Sequence, residues 1–214
     1  MMKTKNIIFN FTKNHKFTIR LIEEEQNIEV VDRVKLLGTI ITNDLSWNEN
    51  TSYLVKKAYQ RMQLLHNVAK FSNERNDLKS IYMSYIRPIL EQSAPVWHSS
   101  LSKENINDLE RVQKSAIRII MGKHHHNYET SLEKLGLTTL HDRRIKLCLN
   151  FAMKTSRNKK MKHMFPKRKE KQECERKNTD KFVVKKVRTQ RLKNSAIPYM
   201  QNLLNRNYLE NSRL

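Results

Sequence analysis

Three consecutive histidines, His124, His125 and His126, are the densest run of metal-ligating side chains in the sequence. Zinc sites space their ligands by a few residues and draw on a second chain element, and no Cys or Asp stands near this tract, so spacing argues against a metal centre. His141 and Asp142 are adjacent, whereas a His-x-Asp iron site needs one residue between them. Glu23, Glu24 and Glu25 would alternate across an extended chain, which reads as an acidic turn. Two-metal phosphoryl transfer needs converging carboxylates, commonly a clustered Asp pair, and the chain has no Asp-Asp step. Cys148 and Cys174 are too few for a disulfide framework or a four-cysteine zinc site and read as reduced thiols without a role. With three glycines in all, a glycine-rich phosphate loop is excluded. No catalytic residue and no metal or cofactor site is expected from these patterns.

The basic residues offer a different chemistry. The 214 residues carry 42 Lys and Arg against 21 Asp and Glu, a formal charge of +21. Residues 1–150 hold 23 basic and 16 acidic side chains, and residues 151–214 hold 19 and 5, so two thirds of the excess sits in the last third of the chain. Such a surface suits a polyanion, nucleic acid before an acidic membrane or an acidic protein. Lys56, Lys57 and Arg61, and separately Arg111, Lys114 and Arg118, recur at helical spacing opposite an apolar stripe. Either set alone is an ordinary solvated helix face; together with the basic tail they form a phosphate-tracking surface that gains affinity by counterion release. Trp47, Trp97, Tyr53, Tyr59 and Tyr128 are available for base stacking, although aromatic side chains on helices more often serve the core. No apolar window approaches the ~20 residues of a membrane span, and Met1 to Asn6 lacks a secretory core segment, so a soluble intracellular protein of nucleus or cytoplasm is expected.

The elements that must position these side chains follow from periodicity. Ile7, Phe9 and Phe11, then Phe17, Ile19 and Leu21, alternate with polar residues around a turn at Lys13, Asn14 and His15, predicting a hairpin. Ile28, Val30 and Val31, and a run from Val34 to Ile41 with Gly38 in its middle, would complete a small antiparallel sheet over residues 1–46. Past Asn43 the period becomes helical. Leu54, Ala58, Met62, Leu65 and Ala69 mark a first helix, and Leu78, Ile81, Tyr82, Tyr85 and Ile89 a second, kinked at Pro88. A third runs from a Ser102 cap to Gly122 through Ile106, Leu109, Val112, Ala116, Ile117 and Ile120. Tyr128 to Leu135 makes a short helix stopped by Gly136, and Thr139 to about Lys154 a longer one, giving a bundle over residues 47–154. Residues 155–193 read as a flexible basic segment, with 17 Lys or Arg and 4 Asp or Glu among the 40 residues from Lys154 to Lys193. Ala196, Ile197, Tyr199, Met200, Leu203 and Leu204 predict a closing helix within residues 194–214. The class is α+β, mainly α: a small sheet, a helical bundle and a basic, partly disordered tail.

A series of motifs then goes beyond composition. Val34 to Trp47 (VKLLGTIITNDLSW), Lys57-Ala58 with Arg61, Ile81-Tyr82, Tyr85 to Glu91 (YIRPILE) and Ala94 to Trp97 (APVW) come first. Leu109 to Lys114 (LERVQK), Arg118 to Ile120, Leu137 to Leu140, Arg143-Arg144, Phe165-Pro166 and Ser195 to Pro198 continue it. In this order they resemble the reverse transcriptases of non-LTR, LINE-like and jockey-type retrotransposons, in the part that follows the catalytic centre. The resemblance implies the end of the palm sheet, a thumb and a connecting region that grip template and primer. It places the Val34–Ile41 strand with Gly38 at the primer end. The palm aspartates that bind Mg²⁺ in that family would lie upstream of Met1, so no catalytic residue is carried over. The residues expected to touch RNA, DNA or an RNA–DNA hybrid are Lys35, Gly38, Lys56, Lys57, Arg61, Arg87, Arg111, Lys114, Arg118, Arg143, Arg144, Lys167, Arg168 and Lys169. Residues from about Val34 to Leu90 are also similar to a short segment at the amino end of an AlkB-like tRNA-modifying dioxygenase and methyltransferase. The iron and 2-oxoglutarate ligands are absent, and no such activity is expected. The competing class is a helical module that docks on a protein partner without nucleic acid.

Overall fold

The computed structural model describes residues 4–9, 22–23, 26–71, 74–167, 181–184 and 187–211. Most of the hairpin expected between Ile7 and Leu21 lies outside the described residues. Lys5–Asn6 (β1) pairs in parallel with Glu29–Val30 (β4), while Ile22–Glu23 (β2) and Gln26–Asn27 (β3) are antiparallel. The longest ladder joins Arg33–Leu36 (β5) to Thr39–Thr42 (β6), antiparallel, with Val34 opposite Ile41 and Leu36 opposite Thr39. The run from Val34 to Ile41, expected as one strand, is therefore a hairpin. Leu37 and Gly38 sit at its tip with φ of 48° and 84°, the left-handed pair that matches the twist of the flanking strands. Apolar alternation is the same in one long strand and in two short ones, and only the single glycine marked the fold-back.

Asn48–Phe71 (α1) buries Leu54, Ala58, Met62 and Leu65, the stripe its spacing predicts. The next helical stretch is Arg75–Ile81 (α2), a π turn at Tyr82–Ile86, and Arg87–Glu91 (α3). Pro88 has no N–H, and its ring would press on the carbonyl four residues back in a regular α-helix. Just ahead of it the chain widens by one residue, with the Arg87 N–H bonded to the Tyr82 carbonyl. That extra residue rotates the inner face from Tyr85 to Ile86, so Tyr85, expected in the core, is 40% exposed. A short turn of helix, Ala94–Trp97 (α4), follows, with the Trp97 indole N–H donating to the Gln92 carbonyl at 2.9 Å.

Lys103–Met121 (α5) starts at Ser102, whose Oγ accepts from the Asn105 N–H at 3.1 Å, and ends at Gly122. Tyr128–Leu135 (α6) closes in a Schellman pattern, the Gly136 N–H to the Glu133 carbonyl and the Leu137 N–H to the Leu132 carbonyl, both 2.9 Å. Leu140–Arg157 (α7) is capped by Thr139 on the Asp142 N–H, and Gln190–Lys193 (α8) and Ala196–Asn211 (α9) follow it. The main core gathers α1 to α7 around Trp97, Tyr82, Leu109 and Ile117.

A second, smaller core joins α7 to α9 through Cys148, Ala152, Phe165, Phe182, Met200 and Leu204. Phe165 and Phe182 both belong to residues 155–193, so that stretch is not uniformly flexible: two aromatic anchors fasten it. Phe165 and the Phe182-Val183-Val184 run stand out in the sequence, but they make no periodic pattern that would predict packing.

Candidate nucleic-acid interface

The expected binding residues divide into three groups. The first lies on the outer face of α1 and the hairpin beside it. Lys35 on β5 donates to the Tyr53 hydroxyl at 2.7 Å, its ammonium 4.3 Å from the ring centroid. Lys57, one turn along α1, holds its ammonium 5.8 Å from the same ring. Arg61, a further turn on, places its guanidinium carbon 4.1 Å from the Tyr85 ring centroid and donates to the Tyr85 carbonyl at 3.2 Å. Tyr53, Lys57 and Arg61 repeat every four residues, so they line one face of α1 with about 6 Å of rise between neighbours. The Lys35 hydrogen bond, followed by the Lys57 charge, draws the Tyr53 phenol below its usual pKa. The result is a ledge of alternating cations and tyrosine rings, the arrangement that backbone phosphates and stacked bases favour. Lys56 is exposed at the margin of the same helix.

What places this ledge is the tip of the hairpin. Gln92 Nε2 donates to the Leu37 carbonyl at 3.1 Å, and Asn50 Oδ1 accepts from the Ile40 N–H at 3.0 Å. A Cβ on Gly38 would stand 2.3 Å from Gln92 Nε2. The glycine is thus fitted to the bend after α3, and its local role is docking the hairpin that carries Lys35.

The second group is spread over α5. Arg111 is tied to Asp108 at 2.7 Å, Lys114 lies 5.1 Å from the Tyr128 ring centroid, and Arg118 is exposed. Tyr128 itself is committed inward. Its hydroxyl donates to Glu110 and accepts from Gln113 Nε2, and Gln113 accepts from the Tyr82 hydroxyl at 2.5 Å. Burial, followed by the Glu110 bond and charge, pushes the Tyr128 pKa upward. Tyr128 is therefore removed from the stacking candidates, as are Trp47 and Trp97, both buried in the core. Tyr59 is 43% exposed.

A third group corrects the sequence reading. Arg144 is fully buried, with Nε 3.4 Å from His98 Nδ1 and its guanidinium carbon 5.9 Å from the Trp97 ring centroid. Arg87 and Arg143 both close on Glu91, Arg87 at 3.6 Å with only 13% of its side chain exposed. Arg144 and Arg87 are enclosed in the seam between α3, α4 and α7, and Arg143, its side chain 37% exposed, borders it. They entered the expected binding set with the motif series, Arg87 in Tyr85 to Glu91 and the other two as Arg143-Arg144, and a motif carries no information about burial. His98, unnoticed in the sequence, completes the seam: burial first, then the Arg144 and His141 charges, lowers its pKa to about 3, so it is a neutral acceptor. Burial likewise raises the Cys148 thiol to about 12, in keeping with an unreactive side chain.

Lys167 is exposed beside the Phe182 anchor, and Arg168 and Lys169 lie outside the described residues. His124 is exposed and His125 Nδ1 lies 3.0 Å from Ser131 Oγ. Among the described residues no three His, Cys, Asp or Glu side chains come together as a metal would require. Among the described residues no helix is long and apolar enough to cross a membrane. Tyr85 is the ledge residue that sequence patterning missed, and the only signal for it was Pro88 three residues on, whose backbone adjustment turns the ring outward.

No family model, curated protein or solved structure matches the chain.

Proposed function

We propose that this chain binds nucleic acid strands as the thumb and connecting part of a retrotransposon-type reverse transcriptase, without the catalytic palm. The observation that carries the reading is the ledge of Lys35, Tyr53, Lys57, Arg61 and Tyr85. It sets cations against two tyrosine rings, Tyr85 at 40% exposed and Tyr53 half-buried, and an ordinary solvated helix face needs only the cations. The motif series from Val34 to Pro198 supports the family, and the charge of +21 supplies long-range attraction for a polyanion. On this reading the chain holds template and primer, and polymerisation belongs to residues it does not carry.

Fluorescence anisotropy of the purified chain tests it, with labelled single-stranded RNA, duplex DNA and RNA–DNA hybrid over a series of salt concentrations. The expected result is affinity that falls steeply and linearly on a log–log salt plot. Absence of binding at low salt, with a stoichiometric acidic protein co-purifying, would instead establish the protein-docking class. Nucleotide incorporation in a primer-extension assay with Mg²⁺ would refute the non-polymerising half.

A further inference from the structure

An open basin of about 490 Å³ lies between the end of α7, the turn after it and α9. Four of the side chains lining it are cations, Arg157, Lys162, Lys167 and Lys181, and none is Asp or Glu. They arrive from separate stretches of chain. Arg157 is in the last turn of α7, and Lys162 opens the 3₁₀ turn Lys162–Met164. Lys167 forms an antiparallel bridge with Phe182, the neighbour of Lys181. That bridge is pinned from α9. Asn205 Oδ1 accepts from the Phe182 N–H at 2.8 Å and Asn205 Nδ2 donates to the Phe182 carbonyl at 3.0 Å, both in the interior. The buried Phe182 ring then sits in the small core with Phe165, Cys148 and Leu204.

One cation at the end of a helix is ordinary, because it offsets the negative end of the dipole, and Arg157 needs no other reason. Lys162, Lys167 and Lys181 have no such reason. Among the described residues none of the four pairs with a carboxylate. Lys181 instead rests its ammonium 4.4 Å from the Tyr208 ring centroid on the basin wall. All four cations are exposed, so solvent screens their repulsion; what sets the basin apart is that they come from separate stretches of chain and line one concavity with no carboxylate among its lining residues. The volume falls within the ~300–1,000 Å³ of small-molecule sites.

We propose that this basin is a phosphate-binding site, separate from the α1 ledge, in which Arg157, Lys162, Lys167 and Lys181 surround a multiply charged phosphate oxyanion. The phosphate comes either from a free polyphosphate or from the end of a nucleic acid strand. The site stands on its own residues and does not depend on the reading of the ledge.

Calorimetric titration of the full chain tests it at fixed ionic strength, with inorganic pyrophosphate and with one RNA oligonucleotide carrying a 5′ phosphate or a 5′ hydroxyl. Wild type is compared with K162Q/K181Q and with the ledge variant K57Q/R61Q. The expected result is pyrophosphate binding that weakens roughly tenfold or more in K162Q/K181Q, as two charge-assisted hydrogen bonds are removed, and is unchanged in K57Q/R61Q. Thermal melting without ligand shows that K162Q/K181Q is folded. A preference for the 5′-phosphate oligonucleotide that vanishes in K162Q/K181Q assigns the strand end as the source. Pyrophosphate binding without that preference assigns a free polyphosphate. Equal pyrophosphate affinity in wild type and K162Q/K181Q, or none in wild type at low ionic strength, overturns the site, whatever the ledge variant does to strand binding.

Discussion

Arg61 on α1 and Arg144 on α7 both lie against an aromatic ring, yet one faces the surroundings and the other is sealed from them. Arg61 sits 4.1 Å from the partly exposed Tyr85 ring, while Arg144 lies 5.9 Å from the buried Trp97 ring, with no hydrogen-bond partner for Nη1 and Nη2 among the described residues. The difference comes from what packs on each helix. The inner side of α1 is covered by α5 and α3, and its outer side is left for Tyr53, Lys57 and Arg61. Helix α7 is flanked by α4, α5 and α9, so Arg144 on its inner face is enclosed, while Lys146, Lys154 and Arg157 on its other faces stay exposed. A cation's availability is thus set by whether its face of the helix is covered by other helices. The two regions also balance charge differently: the ledge leaves its cations to solvent and rings, whereas the seam supplies Glu91 to Arg87 and Arg143.

The largest expected effect tests the seam. Glu91→Gln removes the carboxylate shared by two arginines and leaves Arg87 buried with its charge uncompensated, at a cost of about 3 kcal/mol in stability measured by urea denaturation. The affinity of the folded protein for a nucleic acid strand should not change. An equal loss of strand affinity would return Arg87 and Arg143 to the binding surface.

Acid acts on the same seam through His98. Its pKa is about 3 in the fold against 6.5 for the free side chain, so the unfolded chain takes up this proton first. Stability from this group is complete above pH 6.5 and is lost progressively as the pH falls toward 3. Between pH 7 and pH 5 the loss should be about 2 kcal/mol. Denaturation midpoints for wild type and His98→Gln across that range measure it, and the variant should show the shallower decline.

On the ledge the expectation is reversed. Lys57→Ala with Arg61→Ala should cost no more than about 1 kcal/mol in stability, since both side chains are half-buried and their ring contacts are solvent-screened. Strand affinity should weaken by roughly tenfold at low salt, and the salt slope should flatten by about 2, one for each phosphate that is no longer neutralised. A melting temperature that falls while affinity holds would make the ledge structural and erase the contrast.

Gly38→Ala has the smaller expected effect on strand affinity and joins the two regions. Alanine at φ 84° is strained, and its Cβ would displace the Gln92 amide that holds the Leu37 carbonyl. A loss of about 1–2 kcal/mol is expected from the strain and the broken bond. Strand affinity should then drop less than in the double variant, because only Lys35 moves with the hairpin. The unfolding midpoint and the anisotropy titration together check it.

Much of this molecule was legible in advance wherever a local rule governs. The caps Ser102 and Thr139, the stops Gly122 and Gly136, and the inner stripe of α1 stand where periodicity and hydrogen-bonding chemistry put them. The candidate site was legible in part. Lys57 and Arg61 share a helix and a four-residue spacing, so their common face follows from the helix alone. Lys35 and Tyr85 meet it from other elements, and Tyr85 faces outward only because the chain takes a π turn ahead of Pro88. The basin of Arg157, Lys162, Lys167 and Lys181 could not be anticipated, since nothing in a run of lysines tells which of them a distant Asn205 will draw together.

By itself the sequence determined the helical class, the boundaries of the main helices and the excess of positive charge, because each depends on residues within a turn or two of one another or on a simple sum. The tertiary structure alone decided which cations are usable. Arg144 and Arg61 are the same residue type on amphipathic helices, and what separates them is enclosure by helices distant in sequence, which governs whether a guanidinium keeps its water or gives it up to the core.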